Sequence, residues 1–385
     1  MLRPLSRPPM PPRSASDSGS ARLLSLDVFR GLTVAGMIVV NDPGSPVQVW
    51  APLRHAAWNG WTPADCVFPG FLFIVGVAIA LALGPLRGDA AGRARAARRI
   101  ARRTLRLFAL GLLLNAVPGF DLAGLRVPGI LQRIALCYAA ASAAYLVLDA
   151  AGLTVLAGAL LVVYWALMTR VPVPGVGAGV LEPGTNLAAW LDQRLLAGHL
   201  LHPTWDPEGL LPTLPAIATT LAGVLAGQWM RGMRDATRTC VGLAVAGVAA
   251  LVAGAAVARA VPVNKALWTP SFVALTAGTS ALGLAACAWL ADVRGWRALL
   301  RPLVIFGRNP IALYLLATVT AKLLWAIPVT GPAGVATSLH KVLYRELFGW
   351  AGGARASSLL FALAFLALWL PPMATLHRRG LFLRV

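Results

Sequence analysis

Apolar residues in this chain gather into runs of roughly 20 positions, set apart by short polar or arginine-rich segments. A bilayer core about 30 Å thick needs about that many apolar residues per helix. Runs of this length without alternation read as helices. The pattern predicts about ten membrane helices, over residues 25–41, 65–85, 100–116, 129–148, 152–169, 212–229, 239–260, 270–290, 303–326 and 356–374. The expected fold is all-α, a polytopic membrane helical bundle in one transmembrane domain over 23–385. Residues 1–22, rich in Pro, Ser and Arg, cannot bury a core and read as a disordered tail. No apolar run precedes Leu23, so the tail is not expected to be a signal peptide.

Charge gives the bundle an orientation. Arginines cluster in the tail, again from Arg87 to Arg103, at Arg231, Arg234 and Arg238, at Arg294, Arg297 and Arg301, and at Arg378, Arg379 and Arg384. With ten spans every cluster falls on one side, which should be cytoplasmic, with both termini inside. The excess of 34 basic over 14 acidic residues could suggest nucleic acid. Its division among short inter-helix clusters argues against that partner. Only 12% of residues are charged and the mean hydropathy is +0.72, values that exclude an ordinary soluble domain. Cys66, Cys137, Cys240 and Cys287 have neither disulfide-framework nor metal spacing. They read as small core residues, and no metal is expected.

Polar chemistry gathers in the loop between the first two spans, which this orientation places outside. It holds His55, Trp58, Asn59 and Trp61, with Asn41 where it begins and Asp65 where the second span opens. Neutral imidazole can take a proton near pH 7, so His55 is the candidate general base, and Asp65 could orient its ring. Trp58 and Trp61 offer flat faces for a sugar or belong to an interfacial aromatic belt. The long Pro/Gly-rich connection from about Arg170 to Leu211 carries Trp190, Trp205, Asp206 and Glu208 and reads as a functional lid. Asn264 and Lys265 sit in an outer turn that either binds a sugar or lets the lysine snorkel. Gln132 and Arg133 lie one turn inside the fourth span, where an arginine needs a partner or ligand. Asp27 and Arg30 can pair on one helix face or meet a ligand. Arg308 and Asn309 precede Pro310 near the cytoplasmic side. The amphipathic stretch from His340 to Trp350 is expected to lie at the outer interface, with an eleventh tilted span as the alternative.

The segments SLDVFRGLTVAGMIVVN, HAAWNGWTPADCVFPGFLFIVG, PGILQRIALCY, DPEGLLPTLPAIATTLAG and NKALWTPSFV, in that order, resemble the heparan-α-glucosaminide N-acetyltransferase family and its bacterial relatives. The resemblance runs from Leu23 to at least Ser280, and more weakly through FGRNPIALYLL. It implies a transmembrane acyltransferase that moves acetyl from cytoplasmic acetyl-CoA to a terminal glucosamine on the far side. His55 takes the place of the family's active histidine, and Asn41, Asp65, Gln132 and Arg133 match its motifs. Animal members carry a further N-terminal extracytoplasmic domain that this chain is not expected to have, so its acceptor need not be heparan sulfate.

On this reading His55 is the base, Asp65 holds its ring and Asn41 hydrogen-bonds the thioester oxygen as charge develops. Gln132, Arg133, Arg308 and Asn309 are the candidates for holding CoA. Trp58, Asn59, Glu208, Asn264 and Lys265 are the candidates for the acceptor. Expected partners are acetyl-CoA, an amino sugar or glycan and the bilayer of a bacterial inner membrane; a homodimer is compatible. An acetyl-histidine intermediate is chemically allowed. The rival functions are O-acetylation of an envelope polysaccharide, transport of a sugar or glycolipid, and a purely structural role. The halves share no repeat, which weighs against a transporter.

Overall fold

The computed structural model describes residues 24–233, 235–330 and 336–383. The tail expected to be disordered, residues 1–22, lies outside them, as do Arg234 and Arg384 of the basic clusters. The described chain is mostly helical: α1 (Leu24–Asn41), α2 (Val67–Leu83), α3 (Ala90–Ala116), α4 (Ile130–Val147), α5 (Ala150–Arg170), α6 (Leu187–Leu196), α7 (Thr213–Gly232), α8 (Ala236–Val257), α9 (Pro270–Ala288), α10 (Arg297–Arg308), α11 (Pro310–Ala326), α12 (Leu339–Phe348), α13 (Ala354–Leu368) and α14 (Leu370–Arg378). A two-stranded antiparallel hairpin, β1 (Pro328–Thr330) with β2 (Ala336–Ser338), interrupts the all-helical pattern.

Among the described residues seven helices are long and apolar enough to cross a membrane, or eight if the bent pair α10–α11 counts as one. The sequence pattern called for about ten. The two extra runs do form helices, but mixed ones. The first half of α3 carries Arg93, Arg95, Arg98, Arg99, Arg102 and Arg103. Helix α7 packs against α2, α4, α5 and α9 inside the bundle. Facing protein and not lipid, it can afford Thr213, Thr219, Thr220 and Gln228. The run read as one span over 303–326 is broken at Asn309 into helices 76° apart. Pro310 lacks an N–H and disfavours helical geometry in the residue before it. Helix α12, at 10 residues, spans about 15 Å, too short for an eleventh crossing.

Helices α1, α2, α4 and α9 are mostly buried within the bundle, whereas α5 and α8 are largely exposed along their lengths. Away from the helix ends these exposed positions are largely apolar, among them Val155 and Val162 on α5 and Val241, Val245 and Val252 on α8. A helix apolar on every side with an open face is built to meet lipid, and the chain is an integral membrane protein. Small residues let the inner helices touch. A Cβ added at Gly76 would overlap the Thr220 carbonyl oxygen, and one at Gly223 would overlap that of Phe73. The α2 and α7 backbones are thus in direct contact, as membrane helix pairs with small interfacial residues are. That contact fixes α2, and with it the short turn that carries Asp65 just before the helix.

Candidate active site

The site forms where α1 ends and α2 begins. Helix α1 stops at Asn41, two residues before Pro43, and α2 is preceded by a short 3₁₀ turn, Pro63–Cys66. Thr62 and Asp65 form a capping box on that turn, each side chain receiving the other's backbone N–H. Asp65 also has a second partner. Its Oδ2 accepts the backbone N–H of Thr62 and of Ala56, each at 3.1 Å, while Oδ1 lies 2.7 Å from His55 Nδ1. The carboxylate that starts α2 therefore orients the histidine 10 residues before it. With Nδ1–H directed at Asp65, the lone pair sits on Nε2.

Lys265 completes the cluster from the turn between α8 and α9. Its Nζ is 3.3 Å from Asp65 Oδ1, 3.0 Å from His55 Nδ1 and 3.5 Å from Nε2. Nδ1 and Nζ both donate, so the short approach between them reflects two donors converging on one carboxylate oxygen. Burial pulls the Lys265 ammonium below the ordinary lysine range, against the opposing pull of Asp65 and Glu208. The turn itself is locked. Trp268 has a left-handed backbone, φ +52°, which is strained for a bulky residue. Its indole N–H donates to Thr219 Oγ1 at 3.1 Å.

A cavity of about 460 Å³ opens against this cluster. His55, Lys265, Asn41, Trp58 and Glu208 line it, together with Arg126, His202, Trp205 and Trp268. The side chain of Asn41 makes no hydrogen bond to a described residue. The lid covers one side: Trp58 meets Trp205 edge-on at 5.2 Å, and Trp205 stacks on His202 at 4.4 Å. Arg126, from the α3–α4 connection, ties the lid down. It grips Asp206 through Nε at 2.8 Å and Nη2 at 2.7 Å, and meets Glu208 Oε2 at 2.5 Å. These carboxylates, overcoming burial, hold its guanidinium above the ordinary arginine range.

The structure thus gathers His55, Asp65, Asn41, Trp58, Glu208 and Lys265 at one place. Asn59 and Asn264 lie behind it. Asn264 Nδ2 donates to Asn59 Oδ1 at 3.1 Å and the two residues form a β-bridge, fastening the α1–α2 loop to the α8–α9 turn. Arg133 is buried behind Trp268, its guanidinium 5.1 Å from the ring centre and its Nη2 donating to Gly209 O at 3.2 Å. Gln132 is buried beside it, against Gly111 and Gly129. Arg308 and Asn309 are not brought to the site. Arg308 lies 3.5 Å from Asp27 at the far end of α1, about 20 Å from Asn41 along the helix axis. Asn309 holds the C-terminal segment, donating to Leu381 O and accepting from Leu383 N. Sequence reasoning did not single out Arg126, His202 or Trp205 as site residues. The available signal was a lone arginine in a loop apart from the arginine clusters, and a long connection carrying two carboxylates, Asp206 and Glu208.

The catalytic-region model of the heparan-α-glucosaminide N-acetyltransferase family matches residues 22–258. The chain belongs to this family. The match contains His55, Asp65, Asn41, Arg126 and Glu208; Lys265 lies beyond it. The chain is 29% identical to heparan-α-glucosaminide N-acetyltransferase of Mus musculus over 357 residues, 77% of this chain and 53% of that protein. It is 30% identical to the Homo sapiens protein of the same name over 356 residues, 76% of this chain and 52% of that one. The chain spans about half the length of these curated relatives.

Proposed function

We propose that this family member is a membrane acetyltransferase that moves an acetyl group from acetyl-CoA to the amine of an amino sugar, with His55 as general base. The observation that carries this is the His55–Asp65 pair at 2.7 Å on the wall of a cavity shared with Asn41 and Trp58. Family membership supports the choice of donor and acceptor.

In this reading the amine nitrogen attacks the thioester carbonyl carbon and His55 Nε2 takes the proton that the nitrogen sheds. Asp65 keeps Nδ1–H in place and stabilises the imidazolium. Asn41 donates to the carbonyl oxygen as it gains charge. The C–S bond breaks, and the CoA thiolate takes the proton from His55. Lys265 faces the same cavity as a fixed cation that favours the departing thiolate. Trp58 and Trp205 offer apolar faces, and Glu208 a hydrogen-bond acceptor, to the part of a glycan acceptor that adjoins its reacting amino sugar. Helices α3 and α7 cross the bilayer with the others, giving ten crossings in a bacterial inner membrane with both termini cytoplasmic. The His55 end of α1 then faces outward and its Asp27 end inward, so the acetyl group travels the length of α1 to reach the acceptor.

The test is mass spectrometry of glucosamine incubated with purified protein and acetyl-CoA. An N-acetylated product, with N-acetylglucosamine left unmodified, is the expected outcome. Acetylation of hydroxyls on N-acetylglucosamine would overturn the amine as acceptor. Lys265 adds a pH test. Its ammonium is needed, and burial lowers its pKa, so activity should fall with rising pH below the ordinary lysine value of 10.5. In Lys265→Arg the guanidinium stays charged, and that alkaline limb should move up or vanish. A limb that stays put would remove Lys265 from the chemistry.

A further inference from the structure

We propose that a second cavity, of about 530 Å³ on the other side of Asn41, binds the protonated amine of the acceptor sugar, with the Asp42 carboxylate as its counter-ion. This assignment rests on the acetyl-transfer reading and places the acceptor within it. Asn41 is the shared wall. It lines the His55 cavity, this second cavity and a third of about 410 Å³ that also touches His55. A ligand held beside Asp42 is therefore next to the residue that also borders the His55 cavity.

Asp42 makes no side-chain hydrogen bond or ion pair with any described residue. Burial alone pushes its carboxyl up to about 7. Lys322, the cation in the same wall, is not its partner: Nζ donates to Leu114 O at 2.6 Å and Val117 O at 3.1 Å. Asp42 also follows the last residue of α1, where the free carbonyls give a partial negative charge. An unpaired carboxylate at such a place is costly, and a cationic ligand relieves both charges together. The remaining wall suits a sugar. Trp325 lies against His340 on one face, with ring centroids 4.2 Å apart, and lines both the second and third cavities. Tyr314 and Thr318 offer hydroxyls. A small ring bearing one ammonium fits this set, and the polyphosphate of CoA does not.

The chemistry then begins one step earlier. The bound ammonium passes one proton to Asp42 and becomes a nucleophilic amine. That amine bonds to the thioester carbon at Asn41, its second proton passes to His55, and the thiolate leaves with it. Asp42 returns its own proton to solvent through the cavity. Titratable and charged groups around this path are Tyr314 and Lys322 in the second cavity, Arg54 and His55 in the third, and Asp65, Lys265, Glu208, Arg126 and His202 around the His55 cavity.

The experiment compares calorimetric binding of glucosamine and of glucose, its neutral counterpart at C2, to purified protein without acetyl-CoA. Wild type should favour glucosamine by about ten- to a hundredfold, the range of a hydrogen bond to a charged group. Asp42→Asn should bind glucose as wild type does, which shows that it is folded, and lose the preference for glucosamine. Asp42→Glu should recover part of it. In the acetylation assay Asp42→Asn should raise KM for glucosamine while leaving KM for acetyl-CoA unchanged. A glucosamine preference that survives Asp42→Asn, or an unchanged acceptor KM in an active enzyme, overturns the site and leaves acetyl transfer standing. Absence of acetylation by wild type, with the Asp42-dependent preference intact, sinks the acetyl-transfer reading and keeps the site.

Discussion

His55→Ala folds as wild type does, binds acetyl-CoA, and acetylates glucosamine about 10²- to 10⁴-fold more slowly, the span typical of a lost general base. The fold survives because the ring is partly exposed and its described hydrogen-bonding partners are Asp65 and Lys265. Removing it leaves no orphaned charge, since Lys265 Nζ still lies 3.3 Å from Asp65. The loss should appear in kcat, with the thermal midpoint of the detergent-solubilised protein unchanged. Retention of more than about a tenth of the rate would take His55 out of the mechanism.

Asp65→Asn should be nearly as damaging to the rate, for a different reason. Oδ2 of Asp65 receives two backbone N–H donors, from Ala56 and Thr62. An asparagine there must turn its oxygen toward those donors, which directs its NH₂ group at His55 Nδ1. An NH₂ group facing Nδ1 selects the opposite tautomer, with the proton on Nε2 and no lone pair facing the amine. The expected loss is about 10²- to 10⁴-fold in kcat. Lys265 also loses its carboxylate partner. Nitrogen NMR of labelled histidine separates this account from simple misfolding: Nε2 should be protonated in the variant and Nδ1 in wild type. Wild-type tautomer with full activity in Asp65→Asn would remove the orienting role.

Much of this site is legible in the order of residues along the chain. A hairpin that places His55, Asn41 and Asp65 around a short connection is a local pattern, and its parts meet through capping geometry that the spacing of Thr62 and Asp65 encodes. Lys265 is readable only as a polar residue in a turn between two spans, because its partner Asp65 lies 200 residues away in sequence. The turn's strained Trp268 and the Asn59–Asn264 clamp bring it to His55, and neither leaves a periodic signal. Asn59 itself has the composition of a ligand and the position of a clamp. The helices follow the hydropathy ruler except where burial inside protein replaces burial in lipid. Helix α7 is long and interior, so its threonines blur it, and α3 hides an apolar half behind arginines. The break at Asn309 is announced by Pro310; its angle is set by packing of α10 on α1 and α14.

Acetyl transfer across the bilayer is most directly measured with wild-type protein in sealed proteoliposomes, with labelled acetyl-CoA on one side and glucosamine on the other. Labelled N-acetylglucosamine is expected on the glucosamine side when acetyl-CoA faces the Asp27 end of α1, and none in vesicles carrying His55→Ala. Transport of unmodified glucosamine without any labelled product would contradict it.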